Sequence, residues 1–309
     1  MSFRKDKIMA LSGLDLDNKT KRGLQNIFKR VLKKGMHGIC FSPYQEGQEP
    51  GDQLTEKQIK RRLKVIQPHS KWVRSFSCTD GNELIPVIAR EMGMKTLVGA
   101  WLGDDAEINK REIEGLIRLA NEGHVDVAAV GNEVMYRGDL TEHELLDFMY
   151  HVKDQLPSSV PMGYVDAYYE FAHRPKITEA CDVILANCYP YWEGCSIEYS
   201  LIYMKDMYNQ ALKAGKGKKV IITETGWPSE GEGLNGALPS YQNAIKYFIN
   251  TQHWSEEDDI EIFYFSSFDE SWKVGDEGDV GAYWGIWDKN EKPKFYEKSL
   301  SLRKSKLFV

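Results

Sequence analysis

A regular alternation of short apolar runs with longer amphipathic stretches constrains this chain more than any other feature. The pattern opens with helical spacing over 18–35, where Leu24, Ile27, Phe28, Val31 and Leu32 recur at intervals of one, three and four and Gly35 is the stop. Eight apolar runs follow in turn, at 38–42, 72–76, 96–101, 125–130, 160–165, 183–187, 220–223 and 260–265. Many of their residues are β-branched or aromatic, which suits a buried pleated surface. Helical patterns separate them at 55–66, 82–92, 109–122, 141–156, 200–212 and 240–252, with a short, ill-defined piece near 171–180 and a last helix at 295–302. Thr141 with Glu144 reads as a capping box. Strands alternating with helices predict parallel βαβ units. An open doubly wound sheet would alternate too, but eight repeats in 309 residues favour a closed (β/α)8 TIM barrel, class α/β, as a single domain. Residues 1–35 are expected to form an N-terminal extension and helix, and 36–309 the barrel.

In such a barrel, functional residues gather at the C-terminal ends of the strands. Here those ends read Ser42-Pro43-Tyr44, Arg74, Trp101, Asn132-Glu133, Tyr164, Asn187 with Tyr189, Glu224-Thr225-Gly226-Trp227 and Phe268-Asp269-Glu270-Ser271-Trp272. Glu133 and Glu224 both follow apolar runs, so both are predicted at the rim of one mouth. A carboxylate there is costly to bury without a partner. One alone reads as an ion pair; two flanked by amides and aromatics fit a glycosidase pair, one group protonated and the other ionised. Asn132 is placed to offer its amide to a sugar hydroxyl, and Tyr189 to donate to Glu224. Arg74 is either a positive charge at the site or a structural pair inside the mouth.

Other chemistries are poorly supplied. The formal net charge of −6 disfavours nucleic acid and anionic membranes, and no apolar stretch is long enough for a membrane span. There is no G-x-S-x-G elbow, and the seven His residues are scattered, with no H-E-x-x-H. Gly231 to Gly236 matches G-x-G-x-x-G, but Glu230 and Glu232 would repel a pyrophosphate. The acidic run 276–279 reads as a solvated loop rather than a calcium site. Five cysteines without C-x-x-C are expected to be free, mostly buried thiols, not a metal site. Residues 1–11 start basic without an apolar core, so no signal peptide is expected in the sequence as it stands. Aromatics make up 12% of the chain, a supply suited to stacking on neutral polar ligands.

Taken together, these motifs resemble glycoside hydrolase family 17, the β-1,3-glucanases of the retaining (β/α)8 clan. Val130-Gly131-Asn132-Glu133 resembles the family's acid/base motif, and Ile222-Thr223-Glu224-Thr225-Gly226-Trp227-Pro228 its nucleophile motif. Asn235-Gly236-Ala237 through Ser240 and Asn243 resembles the segment that follows. Phe268 to Lys273, with Tyr283-Trp284-Gly285-Ile286, resembles the strand-eight region of microbial members. The first strand departs from plant members, ending Phe41-Ser42-Pro43-Tyr44-Gln45 rather than in Tyr-Gly. The resemblance implies Glu133 as acid/base and Glu224 as nucleophile, with carboxyls roughly 5–5.5 Å apart. It implies Tyr44, Asn132, Tyr189, Glu270 and Lys273 along the substrate, and Trp192, Trp227 and Trp272 as stacking candidates. The expected activity is retaining hydrolysis of β-1,3-glucosidic bonds in laminarin-type poly- or oligosaccharides, with no cofactor and no metal. A β-1,3-glucanosyltransferase and a non-catalytic β-glucan-binding protein are the alternatives. The substrate argues for export, while the missing leader and free thiols argue for a reducing interior, so compartment stays open.

Overall fold

Buried on both faces, the apolar runs form parallel strands that pair in chain order and close on themselves. The computed structural model describes residues 13–275 and 277–296. The strands are β1 (Met36–Cys40), β2 (Ser70–Ser75), β3 (Lys95–Ala100), β4 (Val127–Asn132), β5 (Met162–Ala167), β6 (Val183–Asn187), β7 (Lys219–Thr225) and β8 (Ile262–Tyr264), in one closed barrel. The predicted (β/α)8 class therefore holds. Gly38 is needed inside it, because a Cβ there would lie 2.4 Å from the Phe263 ring that fills the barrel.

The helices are α1 (Lys21–Lys34), α2 (Glu56–Ile66), α3 (Leu84–Glu91), α4 (Ala106–Asn121), the single turn α5 (Val134–Arg137), α6 (Glu142–Lys153), α7 (Glu170–His173), α8 (Pro175–Ala180), α9 (Ser200–Gly215) and α10 (Tyr241–Glu257). The capping box forms as expected, with the Thr141 hydroxyl accepting from Glu144 N–H and the Glu144 carboxylate accepting from Thr141 N–H at 2.8 Å. The ill-defined piece near 171–180 resolves into α7 and α8, divided at Arg174.

Expected and observed bounds differ most at the barrel's closure. Of the helix expected at 295–302, Phe295 and Tyr296 are irregular backbone, and 297–302 lie outside the described residues, as do the 1–11 segment and Asp276 of the acidic run. The chain after β8 instead makes two 3-10 turns, Ser271–Val274 and Asp279–Tyr283. The place of an eighth outer helix is taken by α1, which packs on α10: the Phe28 ring lies 4.6 Å from Phe248 and 5.2 Å from Phe295. No described helix is long and apolar enough to cross a membrane. All five cysteines are free, four of them buried and Cys195 half-buried.

Candidate active site

Both rim carboxylates sit where a strand loses its regularity. On β4 the backbone turns sharply at Glu133, which adopts a left-handed conformation with φ of 52°. That conformation costs a non-glycine residue energy and persists only where the surroundings hold it. On β7 the register with β6 shifts: Ala186 pairs with Ile222, but Asn187 pairs with Glu224, so one extra residue of β7 is accommodated there. Such a bulge re-aims the side chain beside it. Gly226 follows because a Cβ would come 2.0 Å from the Phe265 carbonyl oxygen.

The two carboxyls have unlike partners. Glu224 is 6% exposed, and both its oxygens accept hydrogen bonds. Arg74 Nη1 donates to Oε1 at 2.6 Å, and the Tyr189 hydroxyl to Oε2 at 2.8 Å. Burial and the Glu224 charge together push the Tyr189 phenol well up, so it stays a donor. Glu133 has no cation in contact among the described residues. Its Oε1 accepts from Asn187 Nδ2 at 2.8 Å, and Thr223 Oγ1 donates to Asn187 Oδ1 at 2.9 Å, which fixes that amide's orientation. Burial, and then the nearby Glu224 charge, raise the Glu133 pKa to about 7. Glu133 is thus driven toward its protonated form, beside a carboxyl whose two oxygens both accept hydrogen bonds.

Arg74 links the two strand ends. Its Nη1 also donates to the Thr223 carbonyl at 3.0 Å, and its Nη2 to Asn132 Oδ1 at 2.6 Å, leaving the Asn132 amide NH2 as the group able to donate to a ligand. At 1% exposure Arg74 lies beneath the site, so of its two expected readings its contacts match the structural pair inside the mouth rather than a charge presented to ligand. Apart from Trp227, the other expected residues pack together through shared neighbours. Lys273 Nζ lies 3.1 Å from Glu270 Oε2 and 4.1 Å from the Phe265 ring centroid, and Phe265 packs 6.0 Å from Tyr189. Burial opposes the Lys273 charge, but Glu270 and Glu277 outweigh it and its pKa rises. Tyr44 meets Trp272 edge to face at 5.9 Å, while Glu270 Oε1 and Trp272 Nε1 are buried without protein partners. Trp192 is 40% exposed and packs 5.6 Å from Trp284, which in turn lies 5.6 Å from Tyr189.

Trp227 is a correction to the expected stacking set. It is 1% exposed, its indole N–H donates to the Leu238 carbonyl at 3.0 Å, and Tyr191 and Tyr247 each lie 5.4 Å away. It is a core residue with no face open to a sugar. The sequence reading placed Asn187 at the rim without a role and gave none to Phe265 or Trp284. The position of Asn187 at a strand end beside Glu224 was the available signal. Phe265 ends the eighth apolar run and Trp284 lies in the strand-eight motif, but their neighbours come from distant segments, so neither position showed what it packs against.

A closed (β/α)8 barrel with two carboxyls of opposed character at the ends of β4 and β7 defines a glycosidase. The BtgE/BtgC glycoside hydrolase domain matches residues 38–285, and the chain belongs to that family. Among its relatives is the glucan 1,3-beta-glucosidase BGL2 of Candida albicans, 29% identical over 75% of this chain and 83% of that protein. A glucan 1,3-beta-glucosidase of Arthroderma benhamiae is 30% identical over 77% and 83%. In structure the chain is similar to the glycoside hydrolase family 17 beta-1,3-glucanosyltransferase from Rhizomucor miehei, at 28% identity and a TM-score of 0.76 over 85% of this chain and 96% of that one.

Proposed function

We propose that this protein is a family 17 glycoside hydrolase that cleaves β-1,3-glucosidic bonds of laminarin-type glucans with retention of configuration. The opposed settings of Glu133 and Glu224 carry the reading: a carboxyl that keeps its proton to about pH 7 faces one that takes two donors on its oxygens. In the first step Glu224 attacks the anomeric carbon as the glycosidic bond breaks, and Glu133 passes its proton to the leaving oxygen. In the second, Glu133 takes a proton from water as that water displaces Glu224, restoring both residues. Asn132 donates to the hydroxyl beside the reacting carbon, and Arg74 and Tyr189 hold Glu224 in line. Tyr44, Trp272, Glu270 and Lys273 line one side of the sugar, and the open face of Trp192 stacks on another ring. The linkage comes from the names of the relatives, which concern β-1,3-glucans.

The test is a time course on laminarin and defined β-1,3-gluco-oligosaccharides, following product length and the anomer first formed. Shorter products of β configuration, lost in both Glu133→Gln and Glu224→Gln, are the expected outcome. Products longer than the starting oligosaccharide as the main outcome would replace hydrolysis with transfer, and binding without turnover would leave a lectin-like protein.

A further inference from the structure

The turn that aims Glu133 is fastened from below by a buried pair on β5. The Tyr164 hydroxyl accepts from Met135 N–H at 2.9 Å, and Asp166 Oδ2 accepts from Tyr136 N–H at 3.4 Å. Asp166 also accepts from the Tyr164 hydroxyl and, at 2.7 Å, from Ala167 N–H. Above them Glu133 N–H donates to the Val165 carbonyl at 2.7 Å. The second and third residues after the left-handed kink, Met135 and Tyr136, are therefore tied to side chains of one neighbouring strand. Tyr164 is 1% and Asp166 0% exposed, and no cation pairs with Asp166 among the described residues. A buried carboxylate without a countercharge is expensive, and three donors from tyrosine and backbone are what it receives instead.

We propose that Tyr164 and Asp166 are positioning residues for Glu133: they fasten the turn that aims its carboxyl into the mouth, and the buried Asp166 charge favours its protonated form. This rests on Glu133 acting as the acid/base. The charged and titratable groups facing Glu133 are Glu224 on β7, Asp166 on β5, Arg74 on β2 and the Tyr189 phenol after β6, with the neutral Asn187 on β6. Those facing Asp166 are Tyr164, Tyr169 and Glu170, besides Glu133. Burial raises Asp166 to about 6, so it is charged through the upper part of the range in which Glu133, at about 7, still holds its proton. Removing that negative charge stabilises ionised Glu133, so its proton is lost at lower pH.

Asp166→Asn keeps the shape and removes the charge. Its alkaline limb of kcat/KM is expected to move down by about half a pH unit or more. On β-1,3-gluco-oligosaccharides kcat should fall about tenfold or more, and far less on a 2,4-dinitrophenyl β-glucoside, whose leaving group needs no proton. Tyr164→Phe deprives Asp166 of a donor, raises its proton affinity and moves the limb the same way, so it serves if the Asn variant fails to fold. Carbon-13 NMR titration of the glutamate carboxyls reads the Glu133 midpoint without substrate. A midpoint lowered in the variants supports the proposal even if the wild type turns over no β-glucan, an outcome that would sink only the functional reading. A midpoint and limb unmoved in both variants, or equal activity loss on both substrates, overturns it.

Discussion

At the residue scale, Arg74 is the pivot of the site. One guanidinium serves Glu224, Asn132 and the Thr223 carbonyl at once, in a place with almost no water. Its Nε has no partner, so the burial cost is offset by the other donors alone. Removing one member of such a pair leaves the other charge uncompensated. Arg74→Met should therefore lower unfolding free energy by about 3–5 kcal/mol, read by urea denaturation at pH 7. A loss under about 1 kcal/mol would mean that Glu224 and Asn132 are held by something else. Glu133 makes the opposite prediction. Its folded pKa of about 7 lies above the ordinary 4.5, so it contributes stability that is full below pH 4.5 and is lost as pH rises through 7. Glu133→Gln cannot ionise. It should be more stable than the wild type at pH 8, by on the order of 2 kcal/mol, and gain little at pH 4.5. Equal stability at both pH values would put the Glu133 proton elsewhere. Both carboxylates and most partners of Glu224 were legible in the sequence, since each ends an apolar run. What was not legible is depth. Arg74 and Trp227 belong to strand-end motifs, but the motif does not say whether a side chain reaches the cleft or turns back into packing.

At the element scale, local signals decided what local physics controls. The start of α6 was readable because Thr141 and Glu144 satisfy each other's neighbourhood within one turn. Thr141→Ala breaks that exchange and should cost about 1 kcal/mol in thermal or chemical unfolding, with activity unchanged at 25 °C. A cost near zero would show that α6 is held by its buried Leu145, Met149 and Val152 alone. Strands β6 and β7 were found nearly to the residue, because an uninterrupted apolar run has few alternatives. Strand β5 was set two residues early: Pro161 has no N–H, so the ladder can use only its carbonyl, which accepts from Ala128 N–H at 3.0 Å. The bulge on β7 and the left-handed turn at Glu133 had no local signature. They arise from register between strands, and they are what bring the two carboxyls to one mouth.

At the scale of the whole molecule, the barrel is closed through its shortest strand. Strand β8 has three residues and meets β1 through two paired positions, Gly38 with Phe263 and Ile39 with Tyr264, whereas β1 and β2 share four. No helix follows β8 among the described residues to cover that join. The helix ahead of β1 covers it, which is why the first periodic stretch of the sequence belongs to the ring although the repeat count gave it no place there. Leu24, Phe28 and Leu32 of α1 are buried, and Phe28 touches Phe248 of α10, Phe295 and Tyr296. Closing the ring is a condition for the site, since β7, which carries Glu224, borders β8 directly. Phe28→Ala should thus cost about 3–5 kcal/mol through the cavity it leaves, far from any substrate. Near-ultraviolet dichroism, far-ultraviolet dichroism and residual activity should then be lost together, in one transition at a lower temperature. Loss of near-ultraviolet signal ahead of activity would show that α1 detaches from a barrel that stays closed, and the seam would have to be held by the β8–β1 pairs themselves.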